Sequence, residues 1–211
     1  MSKFAEFINL VDRPKPFIFI HISHTAGRSI RQVIKPYCLN VDGLSKKPQY
    51  RKNKYHLYIC DIQEWLTNLN QSLEQYTTFA VVRNPWDRLV SRYYSIKQNK
   101  RISKQRQSKA YPSFRSYVKY GLLNHGIDLQ IDRLTDTGNK KGKIIVNYLL
   151  RFESLQSDWE KLANKLKLPT ILPTKGKTLH KYYTEYYDIK IKSIVDKAYK
   201  PDTKRLQYTF E

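Results

Sequence analysis

The apolar residues of the chain fall into short continuous runs that alternate with segments of helical spacing. Continuous runs at 17–22 and 77–82 are typical of strands buried on both faces, and a third strand is predicted over 143–152. Between and after these runs, apolar positions recur at the spacing of amphipathic helices. The predicted helices are 29–34, 61–69, 85–97, 154–168 and 182–211. This alternation predicts an α/β fold.

The polar segment SHTAGRS, at 23–29, has the layout of an anion-binding turn. Backbone N–H groups that open a helix bind anions without a particular side chain. A Walker A loop would need Gly at Ile22 and Lys at Arg28. A magnesium-dependent triphosphatase would place an acidic residue where Arg83 follows the second strand. The pattern therefore predicts a phosphate or nucleotide site without a metal, or else an ordinary turn with Gly27 for tightness.

A second polar group follows the strand at 77–82. Asn84 can cap the next helix, with Pro85 in its first turn. Arg83 at the strand end and Ser91 two helical turns later can both point into the crevice where open α/β sheets bind ligands. A guanidinium and a hydroxyl suit a phosphate monoester. The alternative is that Arg83 only forms an internal ion pair with Asp87.

Charge adds a second expectation. The 211 residues include 39 Lys and Arg against 18 Asp and Glu, so the net charge is +21 and an anionic partner is expected. With 40% hydrophobic and 13% aromatic residues the chain is too apolar for a disordered polycation.

The length of the chain predicts a single domain, 1–211, with a core from about residue 16. No acidic residue occurs from 88 to 127, and within that stretch 97–110 lacks apolar periodicity and is predicted to be a mobile basic loop insertion.

Several classes of protein are disfavoured by what the sequence lacks. Cys38 and Cys60 form neither a disulfide framework nor a zinc motif. The first sixteen residues contain acidic positions where a signal peptide would be apolar, and no run reaches the ~20 apolar residues of a membrane span. These features predict a protein of the reducing cytoplasm.

Three segments, taken together, resemble a known family. They are FIFIHISHTAGRSI, FAVVRNPWDRLVSRYY and NYLLRFESLQSDWEKLANKL. Their order, spacing and strand context are similar to those of the sulfotransferases that use 3′-phosphoadenosine 5′-phosphosulfate (PAPS), in particular the branch that sulfates carbohydrates. The resemblance extends from Phe17 almost to the C-terminus. It implies a P-loop-like parallel sheet with helices on both faces, no metal, and transfer of a sulfuryl group to an acceptor hydroxyl or amine, with adenosine 3′,5′-bisphosphate as the other product.

The resemblance also implies a set of donor-binding residues. In this sequence the loop around the 5′-phosphosulfate is formed by Ser23, His24, Thr25, Ala26, Gly27, Arg28 and Ser29. Arg83 and Ser91 match the pair that holds the 3′-phosphate, and Phe152 matches a position whose ring lies beside the adenine. Two anion sites inferred from the residues alone agree with a donor that carries phosphates on both sides of its ribose.

The loop departs from the family pattern P-K-T-A-G-T-S at three positions. Ser23 replaces Pro, His24 replaces the Lys that supports the leaving group, and Arg28 replaces the second Thr. Because leaving-group stabilisation is an electrostatic task, Arg28 or a protonated His24 is the candidate cation. If neither serves, the protein is a slow enzyme or a relic that binds the nucleotide without turnover.

A histidine near neutrality suits the base that deprotonates an acceptor hydroxyl. His56 resembles a catalytic base found before an equivalent helix in the uronyl sulfotransferases, and the alternative is that it only caps or packs under that helix. His180, which precedes a Tyr-rich segment, is a second candidate. His21 is interpreted as a structural residue of the first strand.

Two other functional classes and the acceptor stay open. The cations of 88–127, interleaved with Tyr and Phe, suit a nucleic-acid-binding protein, although no recognised module is present. A nucleotide kinase is disfavoured because the Walker Lys and the magnesium carboxylate are missing. For a sulfotransferase, the acceptor is expected to be an anionic glycan or a small glycoside.

Overall fold

The computed structural model describes residues 16–37, 57–98, 111–122 and 126–211. These residues belong to two compact units. The first is drawn from residues 1–82 and 130–176, and the second from 83–129 and 177–211. His56 and most of the predicted basic insertion at 97–110 lie outside the described residues.

The first unit is built on a parallel sheet of three strands in the order β1-β2-β3. The strands are β1 (Phe17–Ile20), β2 (Thr77–Val82) and β3 (Tyr148–Arg151). Every residue of β1 and β2 is buried, as expected for β-branched and aromatic residues in strands covered on both faces. The α/β fold predicted from the sequence is confirmed.

Two helices cover one face of this sheet, α1 (Gly27–Ile34) and the helix Leu155–Leu166, here called α4. Phe19 and Phe79 stack with ring centroids 5.1 Å apart, and Trp159 of α4 lies 6.0 Å from Phe79. The alternate residues Ile18 and Ala80 point to the other face and are also fully buried. The unit also contains α2 (Ile59–Thr67) and short 3₁₀ turns at Lys35–Tyr37, Leu73–Gln75, Ile131–Leu134 and Phe152–Ser154.

The predicted third strand is too long. Only Tyr148–Arg151 pairs with β2, whereas 143–145 folds back on 134–136. The N–H of Ile145 donates to the carbonyl of Leu134, and Thr135 forms an antiparallel bridge with Ile144. The short turn at 137–142 closes this local pairing, so residues 144 and 145 are used there and not in the parallel sheet.

The second unit consists of helices and aromatic side chains. Its helices are α3 (Pro85–Lys97) and α5 (Ile189–Leu206), with a helical turn Phe114–Ser116 that widens into a π-type turn at Tyr117–Gly121, and a 3₁₀ turn at Tyr183–Tyr186. The Asn84 side chain caps α3 by accepting from the N–H groups of Trp86 and Asp87, as predicted. The helix predicted over 182–211 is shorter, because Asp188 caps it and starts a new helix at Ile189.

The cap of α5 leads to a prediction about pH. The Asp188 carboxylate accepts from the N–H of Ile191 at 2.8 Å and lies 2.5 Å from Arg115. The backbone hydrogen bond from Ile191, and then the Arg115 charge, lower the pKa of Asp188 below 3.8. Because the folded-state pKa is the lower one, its charge stabilises the fold above pH 3.8, and that stabilisation is lost as the pH falls through the folded-state pKa.

We expect Asp188→Asn, which keeps a capping oxygen but no charge, to melt at a lower temperature than the wild type at pH 7. The difference in melting temperature should shrink when both proteins are melted at pH values below 3.8. A difference that stays constant across this pH range would show that the charge of Asp188 contributes nothing to stability.

Candidate active site

The turn between β1 and α1 has an unusual backbone. His24 and Ala26 both adopt left-handed conformations, with φ of 63° and 62°. Residues other than glycine rarely do so, and the cost is about 1 kcal/mol or more each. Alternating left-handed residues turn successive N–H groups toward one concave side, an arrangement that binds anions. The backbone of this turn therefore has a conformation of the kind found in anion-binding sites.

The start of α1 is also suited to an anion. Ala26 is its N-cap residue and gives no side-chain hydrogen bond, and no acidic residue lies in the first turn. The carbonyl of Ala26 accepts from the N–H groups of Ser29 and Ile30, at 2.9 and 3.3 Å, so Gly27 and Arg28 precede the first intrahelical bonds. Their N–H groups are the ones that a helix presents to a phosphate.

The packing of the His21 ring requires a glycine at position 27. A Cβ atom at this position would lie 1.9 Å from Nε2 of His21, so any side chain would displace the imidazole. The His21 ring in turn stacks on Phe19 with centroids 5.7 Å apart. This packing supports the interpretation of His21 as a structural residue. Thr25, fully buried, closes the turn by donating its hydroxyl to the carbonyl of Ile22 at 2.8 Å.

A segment that the sequence pattern does not predict as part of the site lies over the first turn of α1. The N–H of Lys175 donates to Oγ of Ser29 at 3.2 Å. Gly176, at φ +68°, lies so close to Arg28 that a Cβ atom there would be 2.6 Å from Cδ of Arg28. The sequence signal was the glycine between two lysines in TKGK at 174–177, which has no apolar periodicity. Arg28 is exposed, and its side chain extends along this segment.

The second unit holds the other predicted pair. Nε and Nη2 of Arg83 both lie 2.8 Å from the same oxygen of Asp87, so the ion pair considered as the alternative is present. Ser91 is buried on α3, and its hydroxyl lies 3.0 Å from the hydroxyl of Thr178. The ion pair with Asp87 fixes the orientation of the Arg83 guanidinium. A guanidinium held in this way can bind an anion, and it can also fasten the loop.

A comparison with protein-family models identifies a family that matches the chain. The model described as "Sulfotransferase family" matches residues 9–209, almost the whole chain. The chain belongs to the sulfotransferase family. No curated protein and no solved structure matched it. The resemblance inferred from the three segments is thereby confirmed for the family, and the sheet with its flanking helices is that of a sulfotransferase fold.

The other residues predicted for the site of this sulfotransferase are Phe152, His56 and His180. Phe152 opens the 3₁₀ turn after β3, directly beyond the carboxyl end of the strand, and is partly buried against the core of the first unit. His56 lies outside the described residues. His180 lies in the second unit, where it lines a cleft. Among the described residues, no group of three or more His, Cys, Asp or Glu is arranged to hold a metal ion.

The aromatic residues of 88–127 are mostly unavailable for stacking on nucleic-acid bases. Tyr93, Tyr111, Phe114 and Tyr117 are at most 8% exposed and pack on one another with centroids 5.2 to 6.4 Å apart. Two of the cations are used in ion pairs, Arg88 with Asp128 and Arg115 with Asp188, both at 2.5 Å. In the described residues this stretch therefore forms a core, which disfavours the nucleic-acid hypothesis. No helix in the described part of the chain has the length and apolarity needed to cross a membrane.

Proposed function

We propose that this sulfotransferase moves the sulfuryl group of PAPS to a hydroxyl of a carbohydrate or glycoside, by in-line displacement with a histidine as base. The observation that carries the proposal is the turn with left-handed His24 and Ala26, a strained backbone of the kind that binds anions, in a chain of this family. The order of the three segments supports PAPS as the donor. In the sulfotransferases that they resemble, an Arg and a Ser at the positions of Arg83 and Ser91 bind a second phosphate.

Each group of residues is assigned one part of the donor. The turn 23–29 binds the 5′-phosphosulfate through its backbone N–H groups and the start of α1. Arg83 and Ser91 bind the 3′-phosphate, and the Phe152 ring lies against the adenine. PAPS, when bound, supplies an electrophilic sulfuryl group, and adenosine 3′,5′-bisphosphate is the leaving group. We propose no role for a metal ion.

The missing loop Lys is replaced by Arg28. Arg28 lies one residue after Gly27, at the second position of α1, and its guanidinium is always charged. Its stem is held by contact with Gly176. In this proposal the Arg28 charge stabilises the negative charge that develops on the leaving phosphate.

The alternative is a relic that binds the nucleotide without turnover, which the replacement of Lys by His24 favours. An active enzyme and a relic are distinguished by incubating the protein with PAPS and a panel of glycosides in the presence of a chelator. The proposal predicts an acceptor that gains one sulfuryl group, in step with release of adenosine 3′,5′-bisphosphate. A protein that binds the bisphosphate but releases none from PAPS is the relic.

A further inference from the structure

Residues 168–176 run from the end of α4 to the first turn of α1, within the first unit. Gln156 of α4 holds this segment with both atoms of its amide. It donates to the carbonyl of Thr170 at 2.9 Å and accepts from the N–H of Leu172 at 3.1 Å. Trp159, also on α4, donates its Nε1–H to the carbonyl of the residue before Thr170 at 3.0 Å. The first half of the segment is therefore fixed to α4.

The other end of the segment is tied to α1 through the backbone of Lys175. Its N–H donates at 3.2 Å to Oγ of Ser29, a residue that is only 6% exposed. Two residues earlier, the ring of Pro173 fixes φ and limits the freedom of the chain. Because both ends are held, residue 176 has a defined place beside the first turn of α1.

The residue at this place is Gly176, and the Arg28 side chain lies across its backbone. Gly176 has φ of +68°, and a Cβ atom there would lie 2.6, 3.0 and 3.3 Å from Cδ, Nη1 and Nε of Arg28. These atoms belong to the far end of an exposed side chain. A side chain at position 176 would therefore displace the guanidinium and leave the backbone of the segment in place.

The contact limits the motion of a side chain that has many rotamers. Ordering an Arg side chain only when a ligand binds, or only in the transition state, costs conformational entropy. Packing against Gly176 removes part of this freedom beforehand. The Arg28 charge is thus preorganised, and preorganised charges are the ones that stabilise a transition state most effectively.

We propose that Gly176 is a positioning residue for sulfuryl transfer, which leaves room for Arg28 to lie across the segment and so holds the guanidinium in one orientation. This inference rests on the proposed function, in which Arg28 stabilises charge on the leaving phosphate. Gly176 contributes no group to the reaction and acts only through Arg28. Since Arg28 stands where the family loop has the shorter Thr, the glycine accommodates a side chain that is particular to this chain.

The test compares two glycine-to-alanine changes that carry the same backbone strain. Gly126 has φ of +71°, close to that of Gly176, but a Cβ atom at Gly126 meets no described atom within 4 Å. We expect Gly176→Ala to lower kcat about 10- to 10²-fold, the scale of a misplacement of about 1 Å, with the affinity for adenosine 3′,5′-bisphosphate unchanged. Gly126→Ala should keep the wild-type kcat. Turnover is measured as release of the bisphosphate from PAPS in the presence of the glycoside panel.

The Arg28→Ala background shows whether the glycine acts through the guanidinium. Removing the Arg28 side chain empties the space that a Cβ atom at position 176 would enter. Adding Gly176→Ala to Arg28→Ala should therefore lower kcat no further, because the two changes remove the same interaction. Equal losses of kcat in Gly176→Ala and Gly126→Ala overturn the inference, and so does a further loss from Gly176→Ala in the Arg28→Ala background.

NMR relaxation of the Arg28 Nε–H group tests the positioning without turnover. The signal is assigned by its loss in Arg28→Ala. We expect the Nε–H group to be more rigid in the wild type and in Gly126→Ala than in Gly176→Ala, and equal rigidity in all three overturns the inference. A rigid Arg28 in a protein that releases no bisphosphate from PAPS, or undiminished turnover in Arg28→Ala, is instead a failure of the proposed function.

Discussion

Arg83→Ala should weaken binding of adenosine 3′,5′-bisphosphate by about 2–5 kcal/mol, or roughly 30- to 5000-fold, the scale for removing one partner of a buried charge pair. Arg83 is 6% exposed, so its guanidinium acts away from bulk water. We expect the loss to be much smaller with adenosine 5′-monophosphate, which lacks the phosphate that Arg83 is proposed to hold. Calorimetric titration of both nucleotides measures the difference.

The ion pair with Asp87 makes a matched control necessary. Asp87→Asn removes the ion pair, with its two 2.8 Å contacts, but leaves the Arg83 guanidinium in place. If Arg83 binds phosphate, Asp87→Asn should retain most of the affinity while Arg83→Ala does not. If both variants lose thermal stability alike and neither changes nucleotide affinity, Arg83 only fastens the loop.

Arg28→Ala should lower kcat about 10²- to 10³-fold, the effect of removing one group that stabilises charge in a transition state. Because Arg28 is exposed on the first turn of α1, its loss should leave the fold intact. Arg28→Lys should retain more activity than Arg28→Ala, since it keeps the charge. Single-turnover rates with PAPS isolate this step from product release.

The loop of the family offers a rescue experiment. Introducing His24→Lys into Arg28→Ala restores the Lys that the family uses, and we expect it to recover part of the lost rate. Undiminished turnover in Arg28→Ala and also in His24→Gln would show that the cation of the reaction comes from another part of the chain.

Much of the first unit could be predicted because its signals are local. The run TTFAVV is rich in β-branched residues, which favour strands, and Asn84 followed by Pro85 specifies where α3 begins. The length of β3 could not be predicted, since the apolar residues near Ile144 suit a parallel strand and a local turn equally well.

The site was predicted less completely, and for physical reasons. The positions of the loop residues followed from the motif, but the left-handed backbone at His24 and Ala26 leaves no trace in residue type, because glycine stands at neither. The contact of Lys175 with Ser29 joins residues far apart in the chain, and no periodic pattern in the sequence predicts it. The contact between Nδ1 of His180 and the carbonyl of Lys181 is likewise visible only in the fold.

The proposed function requires this chain to bind a doubly phosphorylated adenosine nucleotide. Titration of the full chain with adenosine 3′,5′-bisphosphate, adenosine 5′-monophosphate and a single-stranded DNA oligonucleotide, at physiological salt, tests it most directly. We expect the bisphosphate to bind at least ~30-fold more tightly than the monophosphate, the effect of one buried phosphate contact. Equal affinity for the two nucleotides, or binding dominated by the oligonucleotide with a steep dependence on salt, would contradict it.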